Sequence, residues 1–303
     1  MRRQSIEAGA MRVLVTGGTG FIGAALCHAL TGAGHVPTVV TRDPEHVDGA
    51  AIGWEGVSAA VRESDALVNL AGEPLGSRRW SARQKELIRE SRVRATRTLV
   101  DAAAAAGPRP RILVNASAVG YYGPREDEAL DESAGPGAGF LADVCRAWEE
   151  EARRAEDLGL RVVRLRLGVV LAADGGALAR MLPPFRAFVG GPIGSGRQWM
   201  SWIHRDDVTG LVVAALGNDG YRGPVNATAP EPVTNREFAK ALGRALARPA
   251  WLPTPASALR LALGEMAELL LAGQRVLPGV ADRLGYQWRY PEQGGALRAS
   301  VRR

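Results

Sequence analysis

The stretch Val13-Leu14-Val15-Thr16-Gly17-Gly18-Thr19-Gly20-Phe21-Ile22-Gly23 decides how this chain is read. Residues suited to a buried strand run straight into glycines at i, i+3 and i+6, and then into a helical pattern. Dinucleotide-binding folds use this layout. The first glycine allows the tight turn, the second lets the backbone approach a pyrophosphate, and the third lets the helix pack on the strand. The helix N-terminus then offers free N–H groups and a partial positive charge to the phosphates. Gly17, Thr19, Gly20, Phe21, Ile22 and Gly23 are therefore expected to hold a dinucleotide. The competing reading is an ordinary strand–turn–helix corner.

Strand and helix patterns alternate from residue 12. This predicts an α/β chain with a Rossmann-type, doubly wound parallel sheet. The expected order begins with a strand at 12–16, a helix at 21–32 and a strand at 36–41, then weak structure over 50–64. Asp65 to Gly72 reads as a buried strand ending in a tight turn. A long helix covers 81–106, with Ser81 as N-cap, Gln84 at the capping-box position and Gly107-Pro108 as the stop. Then follow a strand at 111–117, an acidic Gly/Pro loop at 118–139, a helix at 140–158 and a strand at 161–167 continuing to Leu171.

The pattern changes after residue 175. Gly190–Gly196 is a loop, Trp199–Ile203 suits a short strand, and Thr234-Asn235-Arg236-Glu237 is a capping box opening a helix to 247. The domains read as a tail at 1–10, a dinucleotide domain at 11–175 completed by parts of 199–230, and a smaller substrate lobe at 176–303. That lobe includes a small C-terminal domain at 251–300.

Composition bounds the function. The hydrophobic share is 46% and the charged share 23%, both near globular averages, which excludes wholesale disorder. Cys27 and Cys145 are far apart, and His28, His35, His46 and His204 are scattered, so neither a disulfide framework nor a metal site is expected. The net charge is +6, yet the arginines are interleaved with acids, as in Glu149-Glu150-Glu151-Ala152-Arg153-Arg154. No basic stripe with interleaved aromatics stands out, and nucleic acid is not expected as a partner. No apolar run approaches a membrane-spanning length and residues 1–10 lack a signal-peptide core, so the chain reads as cytoplasmic.

The cofactor's flavour turns on the end of strand two. NAD-binding folds usually place a carboxylate there to hold the ribose 2′-hydroxyl. Here the strand ends Val39-Val40-Thr41-Arg42. A hydroxyl and an arginine suit a 2′-phosphate, which favours NADP. Asp43 follows at once and argues the other way.

With the Gly-rich loop, the turn Asn69-Leu70-Ala71-Gly72 and a serine ending a strand at Ser117, the chain resembles the extended short-chain dehydrogenase/reductases. It most resembles an atypical branch, the NAD-dependent epimerase-like proteins related to SDR family 39U. Matching stretches are Asn69–Glu73, Arg79-Trp80, Ser91-Arg92, Gly120-Tyr121-Tyr122-Gly123, Pro183–Arg186, Gly190–Gly196, Trp202-Ile203-His204 and, in the small C-terminal domain, Gly273–Pro278. The resemblance implies NADP(H) binding, with Thr41, Arg42, Leu70, Ala71, Gly72, Glu73, Glu86 and Arg92 lining the cofactor pocket. It implies no firm substrate.

Ordinary members of that superfamily use Ser/Thr, Tyr and Lys, the last two at i and i+4 of one helix so that both face the site. This chain has two lysines, and neither completes the pattern. Four residues before Lys85 stands Ser81, and four before Lys240 stands Arg236. Aligning the helix on Trp148-Glu149 puts Leu141 and Cys145 where the pair would stand. Ser117 is the expected hydrogen-bonding hydroxyl. Tyr121 or Tyr122 is a candidate proton donor, with Arg146 or Arg125 in place of the lysine. Their alternative role is packing the loop. Arg79, Trp80, Arg186, Arg197, Gln198, Trp199 and His204 are candidates for an anionic, planar or sugar-like small-molecule substrate. The tryptophans alternatively pack lobe against lobe, and His204 alternatively serves structure. Three functions compete: an NADP-dependent oxidoreductase or epimerase, a non-catalytic NADP(H) sensor, and an assembly factor. A homodimer through the helices at 81–106 and 140–158 is a further expectation.

Overall fold

The computed structural model describes residues 9–107 and 110–301. Most of the expected tail at 1–10, and Pro108 of the expected helix stop, lie outside the described residues. Seven parallel strands form the central sheet. From one edge they run Gly223–Ala227, Arg161–Leu167, β5 (Ile112–Ala118), β4 (Ala66–Asn69), β1 (Arg12–Thr16), β2 (Val36–Val40) and β3 (Ala51–Ile52). The strand order reverses between β1 and β4, whose residues Thr16 and Asn69 lie in register. Open α/β sheets bind ligands at such a switch point, outside the carboxyl ends of the strands. The sequence therefore supplies both the fold class and the place of the crevice.

The apolar strand runs are explained by burial on both faces. Side chains alternate along a strand. Val13 and Val15 pack toward α1 (Gly23–Gly32) with Leu26 and Leu30, while Leu14 packs on the other face with Val61 and Leu99. That second face is covered by α2 (Val57–Glu63), α3 (Ala82–Ala104) and α4 (Phe140–Arg153). A separate core fills the second lobe, where Leu178, Leu182 and Phe185 of α5 (Gly176–Arg186) meet Trp202, Phe238 and Leu242. The last helix, Gln293–Val301, adds Ala296 and Leu297 to this core.

Several expectations change. Residues 50–64 hold β3 and α2, elements too short to display a hydrophobic period. The helix expected to reach 158 ends at Arg153. The strand expected to run from 161 to 171 breaks at Gly168, where a Cβ would lie 2.4 Å from the Ser201 carbonyl oxygen. Val169–Leu171 pairs instead with Trp202–His204. The segment 199–203 likewise splits, because Trp199–Met200 pairs antiparallel with Val233–Thr234. The sheet contribution expected from 199–230 comes down to Gly223–Ala227.

The caps behave as the sequence suggests, with one difference. Ser81 accepts the Gln84 N–H at 3.2 Å, but the Gln84 amide turns to Glu73 and Ser77 rather than to the cap backbone. Thr234 and Glu237 form a full capping box for α7 (Asn235–Leu246), which follows α6 (Arg205–Gly217). Among the described residues, no helix is long and apolar enough to cross a membrane.

Candidate functional site

The glycine turn closes at the switch point. Gly17 has φ +71°, and a Cβ there would lie 2.7 Å from the Leu70 carbonyl carbon and oxygen. Only glycine fits between the turn after β1 and the turn after β4. Gly23 packs α1 onto the same turn, since its Cβ would lie 2.1 Å from the Gly17 oxygen. No side chain caps α1, and no acidic residue stands in its first turn. Of its leading N–H groups, that of Ala24 already donates to the Gly20 carbonyl at 3.0 Å, and an anion would meet the remaining ones. Thr19 and Gly20 are exposed at this point, while Ile22 is half-buried. The Phe21 ring is held elsewhere, packed against Gly175 and Gly176 with the Arg205 guanidinium 5.0 Å from its centre.

At the end of β2, Arg42 is exposed. Asp43, which argued for NAD, has its carboxylate 2.8 Å from the His46 ring and its N–H on Thr41 Oγ1. After β4, the buried Asn69 joins three strands and a helix. Its Oδ1 accepts from Thr16 Oγ1 at 2.6 Å, and its Nδ2 donates to Thr96 and Asn115. The turn that follows leads through Leu70, Ala71 and Gly72 to Glu73. Arg92 reaches under Gly72 and donates to the Glu73 and Ile88 carbonyls at 3.0 and 2.9 Å. Burial depresses the Arg92 guanidinium, although Cys145 and Glu73 oppose it. Glu86 is exposed on α3.

The end of β5 carries the most concentrated chemistry. Glu149 of α4 and Arg166 are 2% and 3% exposed and form a bidentate pair, Nε to Oε1 at 2.8 Å and Nη2 to Oε2 at 2.9 Å. Burial pushes the Arg166 guanidinium down, and the Glu149 hydrogen bonds and charge reverse this to a net rise. Ser117 donates its hydroxyl to Glu149 Oε1 at 2.7 Å. Tyr122 is fully buried, accepts from Arg166 Nη1 and donates to Asn226. Burial raises its phenol to about 12. Tyr121 is half-buried, and the Arg166 guanidinium lies over its ring at 3.5 Å.

The three catalytic candidates differ in how they are held. Tyr122 is committed to Arg166 and Asn226. Ser117 has spent its proton on Glu149. In this arrangement both hydroxyls are engaged by the protein. The cation beside Tyr121 is Arg166, whereas Arg146 pairs with Asp143, and Arg125 with Glu128 and loop carbonyls. Arg166 was legible only as one of three arginines in the strand Arg161–Leu167. Leu141 and Cys145 do stand beside the β5 end, against Gly120. The Cys145 thiol donates to the Ala118 carbonyl, and burial and Glu149 raise it to about 11.

The substrate candidates separate into groups. Trp80 meets Phe140 edge-on at 5.0 Å, and Lys85 lies over the same ring while bonding Glu265 at 2.6 Å. Arg79 reaches Gly264 of the C-terminal domain. Trp199 donates to Asp127 at 2.7 Å and carries the Arg275 guanidinium on its face at 4.8 Å. Arg275 was not among the sequence candidates, and its Nε is buried with no hydrogen-bond partner. The strand bearing it, Arg275–Val276, pairs with Ala129–Leu130, and Val276 packs beside Tyr122 and Tyr121. His204 takes the structural alternative: it is buried, its Nδ1 accepts the Asp206 N–H as N-cap of α6, and its ring lies on Tyr290. Arg186 and Arg197 are exposed, at the end of α5 and in the loop before Trp199. Gln198 is spent on the Ile193 and Leu270 carbonyls.

Comparison with known proteins agrees with this layout. The NAD dependent epimerase/dehydratase family matches residues 13–226, and a domain of unknown function, DUF1731, matches residues 254–300. The chain is 46% identical over 301 residues to the Arabidopsis thaliana "Epimerase family protein SDR39U1 homolog, chloroplastic", covering 95% of this chain and 86% of that one. It is 42% identical to the human epimerase family protein SDR39U1, covering 96% of this chain and all of that one. The crystal structure of human SDR39U1 (isoform 2) with NADPH superposes with a TM-score of 0.91 at 39% identity, covering 96% and 99% of the two chains. A UDP-glucuronic acid 4-epimerase from Bacillus cereus shares the fold at 18% identity and a TM-score of 0.76, covering 96% and 98%.

Proposed function

The chain belongs to the NAD dependent epimerase/dehydratase family, and from that premise we propose that it binds NADP(H) and acts as an oxidoreductase or epimerase on a small, anionic carbonyl or hydroxyl compound. The observation that carries the cofactor reading is the cradle at the switch point: Gly17 without room for a Cβ, an uncapped α1, and Arg42 exposed at the end of β2 with Asp43 turned to His46. The human relative crystallised with NADPH supports the same choice. The turn and the first N–H groups of α1 would hold the pyrophosphate. Thr41 and Arg42 would hold a 2′-phosphate, and Leu70, Ala71 and Gly72 would line the adenosine side with Glu73, Glu86 and Arg92.

The bound cofactor would supply or accept hydride, and the protein would orient the substrate and move its proton. Tyr121 is the proposed proton donor, since among the described residues its phenol has no hydrogen bond of the kind that occupies Tyr122. Ser117 passes from catalytic hydroxyl to support of Glu149, which in turn fixes Arg166 on the Tyr121 ring. Trp199 and Arg275 would receive the substrate's planar and anionic parts, because a buried guanidinium nitrogen without an acceptor is satisfied by an anion. Trp80 and Arg79 would close the opposite side.

Titration with NADPH and NADH, read by cofactor fluorescence, tests the first half. Equal affinity for the two would refute the NADP assignment. Stopped-flow NADPH oxidation over a panel of carbonyl acids tests the second, and turnover unchanged in Tyr121→Phe would refute the proton donor. A second reading, an NADP(H) sensor without catalysis, is favoured by one observation: Leu141 and Cys145 stand where the superfamily's Tyr and Lys would be. Tight NADPH binding with no turnover across the panel would select it.

A further inference from the structure

The outer face of the second lobe carries a feature that the cofactor site does not use. Helix α7 places Arg236, Lys240 and Arg244 at i, i+4 and i+8, and Arg248 follows two residues past its end, after the left-handed Ala247. At about 1.5 Å rise per residue the three helical cations stand about 6 Å apart along one side of the helix. The first three are exposed, and the opposite side of α7 is buried through Phe238, Ala239, Ala241 and Leu242. The helix has one acid, Glu237, and its carboxylate is bound to the Thr234 N–H and hydroxyl in the capping box. None of the described ion pairs involves the four cations.

The stripe lies in a groove. One part is lined by Lys240, Gly243, Arg244, Ala247, Arg248 and Ala250. The other continues past Lys240 and Ala250 to Ser195, Arg236 and Trp251. Trp251 lines it and Phe188 lies against Arg248 at its edge, 64% and 52% exposed, and their chain neighbours Leu252 and Val189 are 40% and 48% exposed. The rim is held in place, because Trp251 Nε1 donates to the Phe188 carbonyl at 3.2 Å and Arg248 lies 4.5 Å from the Phe188 ring centre.

We propose that this groove docks an acidic segment of a partner protein, one whose carboxylates alternate with aliphatic or aromatic side chains. Charge complementarity selects the sign. A second copy of this chain is disfavoured, since each copy carries a net charge of +6. The aliphatic rim gives a peptide two anchors that a polynucleotide has no group to fill. Nucleic acid would instead need a row of stacking platforms, and with the Phe188 ring already carrying Arg248 the rim offers Trp251 alone.

The test is fluorescence anisotropy with a labelled twelve-residue peptide of Glu-Leu-Asp repeats, beside its Gln-Leu-Asn counterpart, a twelve-nucleotide poly-A RNA and phosphatidylserine vesicles. The expected result is binding of the acidic peptide that weakens with salt and falls about ten-fold or more in Lys240→Glu/Arg244→Glu. Trp251→Ala should weaken it as well, and both variants should keep wild-type NADPH affinity. If charge reversal disturbs folding, Lys240→Gln/Arg244→Gln carries the same comparison. Equal binding of the neutral peptide, no binding of the acidic one, or an unaffected double variant would overturn the proposal. Tighter binding of the RNA or the vesicles would overturn the choice of partner.

Discussion

Replacing Glu149 by leucine should be among the most damaging single substitutions in the chain. The pair it forms with Arg166 is almost wholly removed from water, at 2% and 3% exposure, and is bidentate at 2.8 and 2.9 Å. Breaking such a pair leaves an uncompensated buried charge, at a cost of about 3–5 kcal/mol. Ser117 also loses its acceptor, a loss of about 1–3 kcal/mol on its own. The two overlap, so the expected total is about 4–6 kcal/mol, a large share of the roughly 5–15 kcal/mol that a folded domain holds. Arg164, 3.8 Å from the same carboxylate, offers no replacement because it too is a cation. The assay is urea unfolding followed by tryptophan fluorescence, with Trp148 next to the substituted residue. Glu149→Leu/Arg166→Met should recover much of the loss, since an apolar pair of similar volume avoids the stranded charge. A Glu149→Leu protein within about 1 kcal/mol of wild type would refute the reasoning, as would a double variant less stable than the single one.

Other outcomes follow from the same structure. Arg42→Ala should cost about 1.5–3 kcal/mol of NADPH binding, roughly ten- to a hundred-fold, and leave NADH binding unchanged by isothermal titration. Gly17→Ala should lose at least about 1–3 kcal/mol of stability and NADPH binding with it, because φ is +71° and the new Cβ would press on the Leu70 backbone at 2.7 Å. Glu132 has its pKa raised by burial, against the opposing hydrogen bonds from the Asn226 and Val280 N–H groups. A carboxyl raised on folding contributes stability that is fully present below its unfolded value of 4.5 and is lost as pH rises through its folded value. Glu132→Gln keeps an acceptor for both N–H groups, so its urea midpoint should fall less than the wild type's on going from pH 4.5 upward to neutrality.

The cofactor half of the site was legible because its signals are local. A strand, three glycines and a helix occupy eleven consecutive residues plus the helix that follows, and the Thr41-Arg42 end of β2 comes at a fixed place in the βαβ unit. The long-range chemistry was not legible. Glu149 and Arg166 lie on different elements 17 residues apart, and Arg166 meets Tyr121 and Tyr122 only because Arg161–Leu167 pairs with β5. His204 looked like a site residue in sequence and is a helix cap in space. Arg275 lay in a motif that had been noticed, but nothing local placed it on Trp199.

By itself, then, the sequence determined the doubly wound sheet, the switch-point crevice and the cradle at Gly17–Gly23, because hydrophobic period and glycine sterics act between near neighbours. The absence of a Tyr-x-x-x-Lys pair was equally a matter of counting residues. Tertiary structure decided which tyrosine is hydrogen-bonded and which is not, which arginine lies over them, and how the C-terminal domain delivers Arg275 to Trp199. Those facts depend on burial and on side chains converging from separate strands. Desolvation and hydrogen-bond commitment are set by what surrounds a group in space, and one-dimensional spacing does not carry that information.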